Sequence, residues 1–276
     1  MKLGDDSPLI GKDLVGVDSR IKDIEGLLRI GFPGVRKIGI WGAGGIGKTT
    51  LAKAVVNKIS KNGHFESKHF FENIREESEK SKGRTGLQRQ IICEILRDED
   101  ANIGSTSTIR RLRHTKVLIV LDDVTNLNQI ELLIGDFKYL GLGSRIIITT
   151  RDKHVLKKCH VDGIYETKIL SYFAAHQLFS RHAFKDCPPK DFMMLTERVL
   201  SYANGVPLAL KVLGSSLFER TKKEWESYIK RLSRIPDKNI QEVLKVSYDG
   251  LNDEEQKVFL DIACFFKGYD RDLIEV

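Results

Sequence analysis

Residues 37–50 read KIGIWGAGGIGKTT, and this stretch decides the fold of the first half of the chain. A short apolar run ends at Trp41, a glycine-rich loop follows, and residues 49–60 carry their apolar side chains on one helical face. The stretch therefore predicts a strand, a loop and a helix in that order. Within the loop, the spacing Gly-x-x-x-x-Gly-Lys-Thr is that of a phosphate-binding loop.

The glycine-rich loop has the residue types that bind a phosphate chain. Gly42 and Gly47 permit a close backbone approach that a Cβ would block, so successive N–H groups can turn toward phosphate oxygens. The helix that follows presents its N-terminus to the same anion. Lys48 supplies a positive charge to the β- and γ-phosphates, and the Thr49 hydroxyl is placed to ligate Mg²⁺. The candidate nucleotide contacts are Gly42, Ala43, Gly44, Gly45, Ile46, Gly47, Lys48, Thr49 and Thr50.

A carboxylate pair follows the apolar run VLIVL at residues 117–121. Phosphoryl chemistry at such a loop needs a carboxylate at the end of a neighbouring strand to hold the metal. We expect Asp122 to be the metal-side ligand and Asp123 to orient or deprotonate an attacking water. The alternative is that one of the two aspartates caps the following helix.

An arginine, Arg151, follows the next apolar run, which reads RIIITT at residues 145–150. The planar fork of a guanidinium matches phosphate oxygens, so Arg151 can distinguish a triphosphate from a diphosphate. We predict this sensor role for Arg151, and a surface salt bridge is the competing interpretation.

The order of these patterns predicts an α/β fold. Unbroken apolar strands are typical of a parallel sheet that is buried on both faces and has helices as crossovers. Helical periods dominate after about residue 164. We expect a P-loop nucleotide-binding unit in residues 1–160, a helical unit in residues 161–236 and a last unit in residues 237–276.

The composition is that of an ordinary globular protein, with 41% hydrophobic and 30% charged residues. The longest apolar stretches fall short of the about 18 residues that cross a bilayer. Asp5, Asp6 and Pro8 stand where a signal peptide needs an apolar run. We therefore expect a cytoplasmic protein without a membrane span, with the nucleus as the other compartment open to it.

The net charge of +7 does not predict a nucleic-acid interface, because the basic residues are interleaved with acidic ones along most of the chain. His154, Cys159 and His160 lack a fourth zinc ligand at a usual spacing. The chain has neither a dinucleotide fingerprint with a distant acid nor an Asn-Lys-x-Asp guanine reader. The predicted ligand is therefore an adenine nucleotide, ADP or ATP, with Mg²⁺.

Four motifs in one order resemble those of the NB-ARC domain of plant intracellular disease-resistance receptors. Two further stretches, FENIREES at residues 71–78 and FLDIACFF at 259–266, resemble the subclass with an N-terminal TIR domain, as does Thr125 in place of tryptophan. The four motifs are the glycine loop at 42–50, LDDV at 121–124, GSRIIITTR at 143–151 and GVPLAL at 205–210.

The resemblance implies three parts: the nucleotide-binding domain, a small helical domain in 161–236 and the start of a winged-helix domain in 237–276. It implies that the nucleotide lies between the first two domains, with Pro207 near the adenine and Leu208 among the nucleotide contacts. Val15 and Val17 would close over the base. A helix-start proline and a core valine are the alternatives for Pro207 and Val15.

The resemblance also implies a switch that is closed with ADP and open with ATP. Its partners would be the TIR and leucine-rich-repeat domains of the intact receptor, and the open form would associate into a homo-oligomer. The sequence departs from the family pattern because it lacks both of those domains and the Met-His-Asp motif, so it resembles a fragment. Two alternatives stay open: an efficient P-loop ATPase, and a nucleic-acid-binding or scaffold protein with a vestigial loop.

Overall fold

A parallel five-stranded sheet forms the first half of the computed structural model, which describes residues 14–61, 63–79, 83–102, 105–134, 139–185, 188–232, 235, 237–249, 251 and 253–265. The strands lie in the order β2-β3-β4-β1-β5, and every neighbouring pair is parallel. This arrangement confirms the predicted α/β fold. The strands are β1 Arg36–Trp41, β2 Ser67–Phe71, β3 Val117–Leu121, β4 Arg145–Thr150 and β5 Gly163–Glu166.

Helices cover both faces of the sheet because the strands alternate their side chains between two apolar clusters. In β3, Val117 and Ile119 face one cluster, whereas Leu118 and Val120 face the other. All residues of β3 and β4 are buried, as the unbroken apolar runs predicted. The helices of this half are α1 Asp18–Leu28, α2 Lys48–Ser60, α3 Ile74–Glu79, α4 Gly83–Leu96, α5 Thr106–His114, α6 Leu127–Ile134 and α7 Lys153–Lys158.

The second half is helical, as predicted, and its core is built around Trp225. The indole stacks on Phe184 at 5.2 Å, meets Phe192 edge to face at 5.1 Å, and donates a hydrogen bond from Nε1 to the Leu217 carbonyl. The elements are α8 Tyr172–Ala183, a 3₁₀ turn Lys190–Phe192, α9 Met193–Ala203, α10 Pro207–Leu217, α11 Lys222–Leu232, α12 Lys238–Asp249 and α13 Asp253–Phe265.

A capping box precedes α11. The Thr221 backbone N–H donates to the Glu224 carboxylate at 2.7 Å, and the Glu224 N–H donates to the Thr221 hydroxyl at 3.4 Å. None of the helices in the described part of the chain is long and apolar enough to cross a bilayer.

Strand β5 was not predicted, and it extends the sheet past the boundary expected at residue 160. The strand pairs in parallel with β1 from Gly163 to Glu166, so these residues belong to the sheet. Its burial is only partial, and it carries a tyrosine and a glutamate rather than an apolar run. An edge strand of this kind has no strong sequence pattern, because only one of its two sides meets a neighbouring strand.

Arg145, the first residue of β4, connects the sheet to the end of α1. Its side chain is buried, and its guanidinium donates to the carbonyls of Leu28, Arg29, Phe32, Gly34 and Ser144 at 2.6–2.9 Å. The Ser144 carbonyl directly precedes β4, and the other four belong to the last turn of α1 and the loop before β1, where a helix end leaves backbone acceptors without partners. Arg145 therefore holds the N-terminal helix against the sheet.

We expect Arg145→Met to lower the free energy of unfolding by about 3–5 kcal/mol, because it leaves several buried carbonyls without a donor. Urea denaturation at neutral pH measures this change. Arg110→Met, which removes an exposed arginine on α5, is the matched control and should change stability by about 0.5 kcal/mol or less. Equal stability losses in the two variants would contradict the role assigned to Arg145.

Candidate nucleotide site

The carboxyl ends of β1, β3 and β4 meet at one edge of the sheet. Trp41 is level with Thr150 across the β1–β4 pair, and Leu121 is level with Ile148 across the β3–β4 pair. The residues that follow these strands therefore come together: the glycine loop after β1, the aspartate pair after β3 and Arg151 after β4. This edge is where ligands bind in open parallel sheets.

The glycine loop has the geometry expected of a phosphate cradle. Gly45 and Gly47 have φ angles of +73° and +94°, which other residues rarely adopt. A Cβ on Gly42 would lie 3.2 Å from the Thr167 carbonyl oxygen, and one on Gly45 would lie 2.9 Å from the Leu208 Cβ. Of the other loop residues, Ala43 is exposed, Gly44 and Ile46 are buried, and Thr50 is half-buried in the first turn of α2.

Lys48 is held inside the loop. Its side chain is 7% exposed, and Nζ donates to the carbonyls of Gly42 at 2.8 Å and Ala43 at 2.9 Å. Burial and then the positive charge of Arg151 lower the pKa of Lys48 to about 8, against the opposing effect of the two aspartates. The lysine charge is therefore costly here unless an anion stabilises it.

Asp122 is the meeting point of three elements. Its carboxylate accepts hydrogen bonds from the Thr49 hydroxyl on α2 at 2.9 and 3.1 Å and from the Thr149 hydroxyl on β4 at 2.7 Å. It is 2% exposed, and burial raises the pKa of its carboxyl above the ordinary value. A carboxylate beside a hydroxyl is a donor set that fits Mg²⁺, an ion that takes one or two protein ligands and completes its shell with phosphates and water.

Asp123 lies between two arginines. It has a φ angle of +56°, and its two carboxylate oxygens lie 3.4 Å from Arg151 Nε and 3.2 Å from Arg75 Nη2. The structure thus brings Asp123 and Arg151 to the glycine loop, as predicted. Arg75, in the first turn of α3, was not predicted at this site because its partner Asp123 is distant in sequence. The motif at 71–78 that contains Arg75 indicated only the subclass of the family and no role for this side chain.

The start of α10 touches the glycine loop. The Leu208 N–H donates to the Gly45 carbonyl at 3.1 Å, and Pro207 Cγ lies 3.7 Å from where a Cβ on Gly47 would stand. Pro207 occupies the first helical position, so the alternative of a helix-start proline also holds in the structure. Both residues implied by the resemblance therefore lie beside the phosphate-binding backbone.

Val15 and Val17 pack into different apolar clusters. Val15 is buried among the helices of the second half, whereas Val17 packs beside the sheet and α2. Between them, Gly16 has a φ angle of +61°, and a Cβ added at this position would lie only 3.0 Å from the Ala174 Cβ. The N-terminal segment thus crosses from one half of the chain to the other, and burial in a core, the alternative stated for Val15, is what the structure shows.

Thr167 is a further residue at this edge that the sequence analysis missed. Its N–H donates to the Trp41 carbonyl at 2.7 Å, which places it beside Gly42. Its hydroxyl is buried and makes no hydrogen bond within the described part of the chain. A buried hydroxyl of this kind is free to form a hydrogen bond with a bound ligand, either as donor or as acceptor.

Comparison with known proteins identifies the family. A family model described as the NB-ARC domain matches residues 20–187. The chain belongs to the NB-ARC family. The predicted resemblance is confirmed, and membership of this family implies that the chain binds a nucleotide.

The curated relatives are plant disease-resistance proteins. Disease resistance protein RUN1 of Vitis rotundifolia is 46% identical over 271 residues, which cover 96% of this chain and 20% of that protein. TMV resistance protein N of Nicotiana glutinosa is 43% identical over 273 residues, which cover 95% of this chain and 23% of that protein. The chain spans about a fifth of the length of these relatives.

Solved structures support the fold alone. The Aeropyrum pernix Orc1 protein, solved in complex with DNA, aligns with a TM-score of 0.52 at 14% identity over 93% of this chain and 74% of that one. Caenorhabditis elegans PCH-2 aligns with a TM-score of 0.53 at 17% identity over 82% of this chain and 72% of that one.

We expect ADP binding at about pH 8.5 to take up protons, because phosphates raise the pKa of Lys48 above its value in the free protein. The affinity for ADP should fall by up to about tenfold per pH unit above pH 8, since the free lysine loses its proton there. Calorimetry in two buffers of different ionisation enthalpy measures the uptake. In Lys48→Arg the side chain stays protonated, so equal uptake by that variant would contradict the assignment.

Proposed function

We propose that the chain is the adenine-nucleotide switch module of a plant innate immune receptor. It would hold ADP in the resting state and ATP after activation, with slow hydrolysis at most. The observation that carries this proposal is the hydrogen bond between Leu208 and Gly45, because it joins the helical half directly to the phosphate-binding loop. A nucleotide at that loop therefore contacts, or lies next to, both halves of the chain.

A switch requires a ligand that binds two conformations with different affinity. The γ-phosphate is the chemical difference between ATP and ADP, and Arg151 is the proposed group that senses it. Its charge already acts on Lys48, which is the residue expected at the β- and γ-phosphates. In the same proposal Pro207 and Leu208, which adjoin the loop, lie on the adenine side, together with Val15 and Val17 of the N-terminal segment.

The proposed metal ligands are Thr49 and Asp122. The hydroxyl and the carboxylate lie 2.9 Å apart, so the two groups would hold a Mg²⁺ ion together, and the ion would stabilise the negative charge of the phosphates. Thr149 would keep its hydrogen bond to Asp122 and so orient the carboxylate.

Slow hydrolysis fits the surroundings of Asp123 better than rapid turnover does. A general base needs a carboxylate oxygen within reach of the attacking water. Here each oxygen of Asp123 faces a guanidinium, so an attacking water has to compete with two cations for the carboxylate. This geometry supports the switch over the efficient ATPase that the sequence left open.

The intact receptor would add a TIR domain before this module and leucine-rich repeats after it. The proposal is supported by the length of the relatives, of which this chain covers about a fifth. We further propose that the ATP-bound receptor associates into a homo-oligomer and that it works in the cytoplasm, with the nucleus as a second compartment.

The proposal predicts that the chain purified without added nucleotide retains ADP. Denaturation and ion-pair chromatography should release close to one ADP per chain, and Lys48→Ala should release almost none because it loses the phosphate contacts. Lys61→Ala, which changes an exposed lysine just after the same helix, is the control and should retain ADP. An empty wild-type chain that also fails to bind added ADP or ATP would overturn the proposal.

We expect Asp122→Asn to reduce the strengthening of ATP binding by Mg²⁺ by about tenfold or more, because the metal loses its anionic protein ligand. Titration with a fluorescent ATP analogue, with Mg²⁺ and with EDTA, measures the effect. Asp152→Asn, which alters the cap of α7 at the same edge of the sheet, should leave the Mg²⁺ effect unchanged. If Asp122→Asn keeps the full effect, the metal site is elsewhere.

A further inference from the structure

Arg75 occupies a position that neither the motifs nor the expected nucleotide contacts explain. It lies in the first turn of α3, and its side chain is 22% exposed. Its Nη2 atom lies 3.2 Å from Asp123 Oδ2 and 3.5 Å from Glu76 Oε1. The Glu76 side chain is 59% exposed and that of Asp123 only 15%, so water screens the Glu76 contact more strongly. Asp123 is therefore the main partner of Arg75.

Asp123 in turn connects Arg75 to the proposed γ-phosphate sensor. Arg151 Nε lies 3.4 Å from Oδ1, the oxygen that Arg75 does not contact. Arg151 is also held by its backbone carbonyl, which accepts a hydrogen bond from Trp41 Nε1 at 3.0 Å. Because the backbone is fixed in this way, the guanidinium can change partners without moving the end of β4.

A γ-phosphate at the glycine loop would therefore compete with the Asp123 carboxylate for the Arg151 guanidinium. The two cannot share the guanidinium equally, because an ion pair with one weakens the attraction of the other. If Arg151 were the sole cation at Asp123, its move to the phosphate would leave the carboxylate partly buried and without a compensating charge, which is unfavourable. A second cation at Asp123 removes this penalty.

We propose that Arg75 is a positioning residue that retains Asp123 when Arg151 moves to the γ-phosphate, and so sets the preference of the module for ATP over ADP. This inference rests on the proposed function, since it requires a site that binds both nucleotides. Arg75 acts through Asp123 and does not touch the nucleotide. The Arg75–Asp123 pair persists in both states, whereas the Asp123–Arg151 pair exists only without the γ-phosphate.

Two opposite changes in nucleotide preference follow. Without the Arg75 charge, Asp123 has Arg151 as its main remaining cation and holds it more strongly, so ATP loses affinity relative to ADP. Without the Asp123 charge, the carboxylate that competes with the γ-phosphate for Arg151 is removed, and ATP gains affinity relative to ADP. Each change should be about three- to tenfold, the range expected of a partly buried ion pair.

A double-mutant cycle tests the proposal. The ratio of the dissociation constants for ADP and the non-hydrolysable analogue AMP-PNP, both with Mg²⁺, is measured by calorimetry for wild type, Arg75→Gln, Asp123→Asn and the double variant. We expect the AMP-PNP preference to fall in Arg75→Gln and to rise in Asp123→Asn. The double variant should match Asp123→Asn, because Arg75 has no effect once its target is neutral.

Other outcomes would overturn the proposal. A fall in AMP-PNP preference that persists when Arg75→Gln is made in the Asp123→Asn background would mean that Arg75 contacts the phosphate directly or supports the fold. An unchanged preference in Arg75→Gln would mean that it positions nothing. A wild-type chain that binds neither nucleotide would instead overturn the proposed function.

Two variants serve as controls. Arg75→Lys keeps the charge and should keep the preference within about twofold of wild type. Arg110→Gln makes the same charge change at an exposed position on α5 and should leave the preference unchanged. Thermal melts confirm folding, and if Arg75→Gln does not fold, the rise expected in Asp123→Asn still decides whether that carboxylate restrains Arg151.

Discussion

The hydrogen bonds to Asp122 are the contacts on which the rest of the site depends. They join the end of β3 to the first turn of α2 and to the end of β4, through Thr49 and Thr149. A buried carboxylate is stable only where donors surround it, so these three elements must meet in one arrangement. The glycine loop and Arg151 are then placed by the strands that carry them, since both follow directly from strand ends.

Oppositely charged groups lie close together around this point. Lys48 lies inside the loop, the two aspartates follow, and Arg151 and Arg75 lie on either side of Asp123. Each aspartate therefore has a hydroxyl donor or a cation beside it, which explains how these ionisable groups stay in a partly buried place. A bound phosphate chain with Mg²⁺ would change the balance of charge in the site, and the contacts made by Lys48 and Arg151 would change most.

The sequence predicted the elements whose side chains follow a strong pattern. Strand β4 was predicted with its observed bounds, and the second half was predicted to be helical, because buried strands form unbroken apolar runs and amphipathic helices repeat at fixed intervals. Strand β5 was missed because an edge strand with a polar face has no such repeat. Arg145 and Arg75 were named only as parts of motifs, because each finds its partners far along the chain, and spacing does not reveal contacts between distant segments.

The contact between Leu208 and Gly45 makes the residues that are tolerated at these two positions depend on each other. The leucine side chain fills the space that a Cβ at position 45 would need, and the leucine N–H holds the carbonyl of the same glycine. Neither residue can change freely while the other stays as it is. The helical half therefore helps to fix the shape of the loop. Because the Leu208 N–H binds the Gly45 carbonyl, a rotation of α10 would first tilt the peptide plane that follows Gly45.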